Sequence, residues 1–259
     1  SSPAVGTVTR PNGSTAIAIV VGFGSGFQGQ QDAGGVRAYL NDGTLLWERL
    51  TSAFIGSSAP VVSAPAIGDI DDDGRSDVVF TSFDERVYAV EGGTGALKQG
   101  WPHQTYDTIW SSPALADLDG DGKLEVIVGS DQHFEPAPLG TPDGGGLHVI
   151  RWDGARFPGF PRYYDQVIAS SPAVGDIDGN GRPEIVFGTG SFWPDRQHKV
   201  RALRCDGTPV PGWPVTVLGQ VSTSPALADL NGDGIPDLAT ANYGGASVTV
   251  LLGNGNGGF

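Results

Sequence analysis

Four nine-residue segments of this chain place oxygen-bearing side chains at one spacing. They are Asp69, Asp71, Asp73 and Asp77; Asp117, Asp119, Asp121 and Glu125; Asp176, Asp178, Asn180 and Glu184; and Asp229, Asn231, Asp233 and Asp237. These residues hold positions one, three, five and nine, and the backbone carbonyl of position seven, on Arg75, Lys123, Arg182 or Ile235, adds a further oxygen. A hard cation such as Ca2+ takes about 6–8 oxygen ligands at ~2.3–2.6 Å, so each segment is a candidate calcium cage and the chain would hold about four ions. Glycine at position six, Gly74, Gly122, Gly181 and Gly234, permits the sharp turn. A single such segment could by chance be only a solvated turn, since Asp, Asn and Gly dominate turns. Four copies in register argue for the metal.

The elements around these segments set their context. An EF-hand opens the same way but closes on Glu at position 12 between helices, whereas here the ninth residue closes the loop. Each loop is followed by a short apolar run, Val78-Val79-Phe80, Val126-Ile127-Val128, Ile185-Val186-Phe187 or Leu238-Ala239-Thr240. Such largely β-branched runs favour strand. Each loop is preceded by a matching segment, such as Ser112-Pro-Ala-Leu-Ala116 or Ser171-Pro-Ala-Val-Gly175, and the chain opens with Ser2-Pro-Ala-Val-Gly6. The loops begin at 69, 117, 176 and 229, so a unit recurs at intervals of 48, 59 and 53 residues. A first unit has lost the cage, with Thr7, Thr9 and Asn12 where carboxylates would stand, and Pro11-Asn12-Gly13 reads as an ordinary turn.

A third alternating run follows in each unit, at 35–39, 86–90, 147–151, 199–203 and 248–252, as a half-buried strand requires. A turn then leads into Gly100-Trp-Pro102, Gly159-Phe-Pro161 or Gly212-Trp-Pro214 and another extended stretch, with Leu46-Trp47-Glu48 in that place in the first unit. Four strands per repeat of about 40–50 residues describe a β-propeller blade. The expectation is an all-β propeller of four-stranded antiparallel blades with five repeats, near 1–58, 59–109, 110–168, 169–221 and 222–259. Trp101, Phe160 and Trp213 recur in register and are expected to pack between blades.

The Ser-Pro-Ala segment followed by the acidic nonapeptide and an Ile-Val-type run resembles the FG-GAP or VCBS repeats, the family that includes the integrin α-subunit propeller. Leu251-Leu-Gly-Asn-Gly-Asn-Gly-Gly-Phe259 is similar to the VCBS form. The resemblance covers the whole chain and carries calcium ligation onto the four loops. The integrin-type propeller has seven blades, whereas this chain has five units and the fifth ends at Phe259 before a fourth strand. The resemblance therefore implies either a five-bladed ring or part of a seven-bladed one.

Composition narrows the classes. A net charge of −14 argues against nucleic acid, which needs a clustered positive surface. The cage positions hold 14 of the 29 acidic residues, and four bound Ca2+ would bring the formal charge from −14 to −6. Without metal the clustered carboxylates repel one another. Cys205 is alone, so no disulfide framework exists, and weak exposed calcium loops suit calcium near 10⁻⁴–10⁻³ M, roughly the extracellular range. An extracellular or cell-surface location is expected. The sequence contains no signal peptide, membrane span or Met, which reads as an N-terminal portion removed.

Cage loops join the first and second strands of each unit, so the connections between second and third strands open on the opposite face. Three of these are long and carry Phe23, Phe27, Phe134, Phe192 and Trp193 beside Gln28, Gln31, Asp131, His133, Asp195, Arg196 and His198. Long loops on a rigid scaffold concentrate function. Aromatic plates beside planar polar groups suit a sugar ring or a peptide side chain, giving a candidate ligand site of Phe27, Gln28, His133, Phe134, Phe192, Trp193, Arg196 and His198. The alternative is that the aromatics cover their own loops. Catalysis has little support, since no Gly-x-Ser-x-Gly, His-Glu-x-x-His or phosphate loop occurs. A calcium-dependent polysaccharide lyase or hydrolase would use His133 or His198 as base with Arg196. The sequence favours a calcium-stabilised binding or adhesion module for a glycan or extracellular protein, with an architectural spacer of a larger secreted protein as the competing class.

Overall fold

The computed structural model describes residues 1–24, 33–54, 57–132, 143–190, 198–243 and 247–259. Among these there is no helix, and five antiparallel sheets follow one another along the chain. The first blade is β1 (Ala4–Thr9), β2 (Thr15–Phe23), β3 (Gly35–Leu40) and β4 (Leu45–Leu50), followed by a small hairpin of β5 (Ala53–Phe54) and β6 (Ser57–Ser58). The second is β7 (Ala66–Gly68), β8 (Asp77–Ser82), β9 (Arg86–Glu91) and β10 (His103–Gln104). The third is β11 (Ala114–Ala116), β12 (Glu125–Gln132), β13 (Gly144–Ile150) and β14 (Arg162–Tyr164). The fourth is β15 (Ala173–Gly175), β16 (Glu184–Thr189), β17 (Lys199–Leu203) and β18 (Val215–Thr216), and the fifth has three strands, β19 (Ala226–Ala228), β20 (Asp237–Asn242) and β21 (Ser247–Leu251). Each strand pairs with its sequence neighbour, the up-and-down order of a propeller blade.

The apolar second strands are continuous runs because each middle blade is buried on both faces, and residues alternate between the two. In β8, Val78 and Phe80 pack with Val8, Val20 and Val36 of the first blade, while Val79 packs with Val126 and Val128 of the third. In β16, Ile185 and Phe187 pack with Ile127 and Leu147 of the third blade, while Val186 packs with Leu238 of the fifth. A fully buried Val, Leu, Ile or Phe contributes about 1.5–3 kcal/mol, so these seams hold the blades together.

Tryptophans reinforce them, as the register implied. The indole N–H of Trp47 donates to Gly92 O, that of Trp101 to Trp152 O and that of Trp213 to Gly257 O, each a carbonyl in the next blade at 2.7–2.9 Å. Phe160 takes the same position at the third seam without a donor. Phe259 returns to stack edge-on against Trp213, so the tail after β21 supports the fourth seam. At the hub, serines of the Ser-Pro-Ala segments link blades: Ser112 Oγ accepts from Ala64 N, and Ser171 Oγ from Ser112 N, both at 2.9 Å.

The first and fifth blades differ from the middle three. Among the described residues the apolar cores are the four between consecutive blades. Val5 is 65% exposed and Val248 66%, and Ile17, Val250 and Leu252 are also exposed. The outer faces of the first and fifth described blades are thus in part apolar and exposed.

Candidate metal centres

Each acidic loop connects the first strand of its blade to the second, and all four fold by one hydrogen-bond scheme. The first carboxylate holds the turn together by accepting from position six: Asp69 Oδ2 from Gly74 N, Asp117 Oδ2 from Gly122 N, Asp176 Oδ2 from Gly181 N and Asp229 Oδ2 from Gly234 N, at 2.7–3.0 Å. Those glycines have φ between 82° and 86°, the left-handed region that glycine enters without steric cost. Position four is also left-handed; Gly120, Gly179 and Gly232 fill it in three loops, whereas the first uses Asp72 at φ 60°. The ninth residue opens the buried second strand and accepts from the amide of position two. Asp77 takes Ile70 N, Glu125 takes Leu118 N, Glu184 takes Ile177 N and Asp237 takes Leu230 N, at 2.8–3.3 Å.

The scheme separates the sequence-assigned ligands into two groups. Positions one, three and nine converge: one oxygen from each of Asp69, Asp71 and Asp77 lies within 4.8 Å of the others, as in Asp117, Asp119 and Glu125 and in Asp176, Asp178 and Glu184. Position five keeps one oxygen on its own loop. Asp73, Asp121, Asn180 and Asp233 each accept from the amide of position seven, Arg75, Lys123, Arg182 and Ile235, at 2.8–2.9 Å. In the fourth loop Asn231 takes position three, leaving Asp229 and Asp237 as the charged residues among positions one, three and nine.

Electrostatics distinguish the loops further. Burial pushes the Glu125 carboxyl up to about 7, with Asp119, Asp121 and Asp117 adding to the effect, and its Oε1 is buried without a hydrogen bond. Glu184 is raised for the same reason, burial first and then Asp178 and Asp176. A buried carboxylate surrounded by others wants a compensating cation, and an all-oxygen set suits a hard one such as Ca2+. The second and third trios therefore fit the ion. Arg151 lies 3.8 Å from Asp119 and 3.4 Å from Asp121, and Arg204 lies 3.0 Å from Asp178; both guanidinium groups sit at the rim.

The first loop is different. Lys98, from the turn after β9, puts its Nζ 2.9 and 2.8 Å from the two oxygens of Asp77 and 2.8 Å from Asp71 Oδ2. Burial pushes the Asp77 carboxyl up to about 7 even though Lys98 opposes it. For Lys98 burial lowers the pKa, but the hydrogen bonds to Asp71 and Asp77 outweigh it and the net shift is upward. The sequence signal for this residue is its register. Lys98 N donates to Ala89 O as Phe157 N does to Val149 O and Val210 N to Ala202 O, so a lysine stands where the next two blades have apolar residues.

Of the proposed ligand face, Phe27, Gln28, His133, Phe134, Phe192, Trp193 and Arg196 lie outside the described residues. His198 is described, half-buried ahead of β17, with its carbonyl accepting from Val217 N. Ser130 Oγ lies 3.1 Å from His148 Nε2, the contact of a nucleophile and base, but both are buried in the third sheet, out of reach of substrate. Burial pushes the His148 pKa down to about 3.

An FG-GAP-like repeat model matches residues 69–128, and an FG-GAP repeat model matches 109–150 and 221–259. No curated protein matches the chain in sequence. Among solved structures, the C-terminal domain of Pseudomonas aeruginosa PilY1 is similar at 12% identity and TM-score 0.58, over 96% of this chain and 71% of that one. Quinohemoprotein alcohol dehydrogenase from Comamonas testosteroni is similar at 18% identity and TM-score 0.61, over 99% of this chain and 42% of that one. The V. cholerae biofilm matrix protein Bap1 gives 21% identity and TM-score 0.46, over 88% of this chain and 41% of that one. The chain thus spans less than half the length of two of these three proteins. With its sequential four-stranded blades and an acidic loop at one place in four of them, the chain has the β-propeller fold and carries FG-GAP-type repeats at 69–150 and 221–259.

Proposed function

We propose that this propeller is calcium-stabilised, acts outside the cell or at its surface, and serves as a binding module for a glycan or an extracellular protein. The observation that carries the calcium part is the convergence of positions one, three and nine, with Glu125 Oε1 buried and without a hydrogen bond. Bound calcium supplies the positive charge that keeps such carboxylates ionised. Residues of this chain do the rest. Asp117, Asp119 and Glu125, and Asp176, Asp178 and Glu184, would hold the ion and tie the first strand of a blade to the second. Binding of a cation to the native state alone becomes folding free energy. In the fourth loop Asp229, Asn231 and Asp237 would act together.

Recognition is assigned to the connections between second and third strands, away from the acidic loops, through Phe27, Gln28, His133, Phe134, Phe192, Trp193, Arg196 and His198. Their aromatic and hydrogen-bonding composition supports a sugar or a peptide side chain as ligand. The test is a glycan and polysaccharide array probed with the folded protein in millimolar calcium and again after chelation. Binding to one sugar class that Trp193→Ala abolishes, and that Asp119→Asn spares, is the expected result. A blank array from a folded, calcium-loaded sample refutes glycan recognition. The exposed apolar faces of the first and fifth blades support a second reading, a structural unit packed against further protein.

A further inference from the structure

We propose that the loop at 69–77 is closed by the ammonium group of Lys98 instead of a metal ion, so that calcium binding is confined to the other acidic loops. The inference rests on the calcium reading above and narrows it. An ammonium group has three hydrogens to donate, and here three oxygens accept them: Asp77 Oδ1 at 2.9 Å, Asp77 Oδ2 at 2.8 Å and Asp71 Oδ2 at 2.8 Å. Two of the three carboxylates that would ligate the ion are thereby engaged, and Asp77, fully buried, has both oxygens satisfied. Glu91, 3.9 Å from the same nitrogen, adds a third carboxylate around it.

Among the described residues no other acidic loop has a buried ammonium group between its third and ninth positions. At the place of Lys98 the third blade has Phe157 and the fourth has Val210, neither with a charge to offer. The arginines near those loops approach from the rim, Arg151 touching Asp119 and Asp121 and Arg204 touching Asp178. Glu125 Oε1 accordingly stays without a hydrogen bond, whereas its counterpart Asp77 is saturated. Lys98 has a side chain only 6% exposed, so a metal ion could enter the first loop only by expelling an ammonium group from a buried pocket. Asp71 Oδ1 retains no hydrogen bond, which leaves one free acceptor in the first trio against a full set needed for an ion.

Two measurements test this. Calcium stoichiometry by titration calorimetry or native mass spectrometry is compared between the parent protein and single variants. Asp71→Ala leaves the count unchanged, whereas Asp119→Ala and Asp178→Ala each lower it by one. A count lowered by Asp71→Ala overturns the inference. Lys98→Met, if it folds, gains one ion. The second measurement is acetylation of lysines, of which the chain has Lys98, Lys123 and Lys199. Lys98 remains unmodified in chelator and in calcium alike while the other two react. Reaction of Lys98 that begins only in calcium shows that the ion displaces it and refutes the proposal. A protein that binds no calcium at all refutes the metal reading, and protection of Lys98 then still decides the role of the ammonium group.

Discussion

Asp119→Asn tests the second cage with least damage to the loop, because asparagine keeps the Oδ1 that accepts from Asp121 N at 3.2 Å. With a dissociation constant near 10⁻⁴ M, typical of extracellular modules, 10 mM calcium is about 100 times that constant, and one site adds about 2.7 kcal/mol to stability. At about 2–4 °C per kcal/mol for a domain of this size, losing the site removes about 5–11 °C of the calcium-induced rise in melting temperature. In chelator the sign reverses. Asp119 and Glu125 have oxygens within 4.8 Å of each other. Two charges at that separation repel by about 3.5 kcal/mol at an effective dielectric constant near 20, before screening. Asp119 is exposed and faces Arg151, so roughly 1 kcal/mol of relief is expected on removing its charge. The variant should therefore melt a few degrees above the parent in chelator and below it in calcium, followed by scanning calorimetry in both buffers. An equal calcium-induced rise in parent and variant would refute an ion between Asp117, Asp119 and Glu125.

Removing the indole donor at a blade seam should cost stability whether or not calcium is present. Trp101→Phe keeps an aromatic ring between blades two and three but leaves Trp152 O without its donor, at a cost of about 1–3 kcal/mol in chemical denaturation, and no change would show that the bond does not support the seam. His148 gives a pH prediction. The unfolded chain takes a proton on this residue below about 6.5, whereas burial holds the folded group down to about 3, so stability falls as pH drops through that window, by up to about 1.4 kcal/mol per unit. In an NMR titration of the folded protein the His148 imidazole stays neutral at pH 5, and a midpoint near 6.5 would refute its burial.

Much of this arrangement is legible in the sequence because the same physical constraint recurs in every unit. A strand packed on both faces must be apolar at successive positions, which is why Val78-Val79-Phe80 and Ile185-Val186-Phe187 announce the second strands. The seam tryptophans are legible from register. Position five is ambiguous in the sequence, because an Asp or Asn in a tight turn can serve an ion, its own backbone or both, and spacing alone does not distinguish them. Asp73, Asp121, Asn180 and Asp233 each took the amide of position seven. The serines before each Pro-Ala mark the repeat in sequence, but their hydrogen bonds between blades join residues 48 and 59 positions apart and emerge only once the blades are side by side.

The ninth residue of the loop ties fold to site. It begins the second strand, so it is buried whatever else happens, and yet in all four loops it is a carboxylate: Asp77, Glu125, Glu184 and Asp237. One oxygen of each is satisfied by the amide of position two, which leaves the other to be matched. The chain meets that requirement in different ways. Asp237 takes a second amide, Gly253 N at 2.8 Å, and Asp77 takes the ammonium of Lys98. Glu184 Oε1 has only the amide group of Asn180 at 3.4 Å, and Glu125 Oε1 has no hydrogen bond. An orphaned buried carboxylate oxygen costs more than a hydrogen bond returns, so the demand for a cation should be greatest where these two glutamates stand. Calcium should accordingly bind most tightly in the loops at 117–125 and 176–184, less tightly at 229–237, and not at 69–77, an order set by the partner of one oxygen more than by the acidity of the loop.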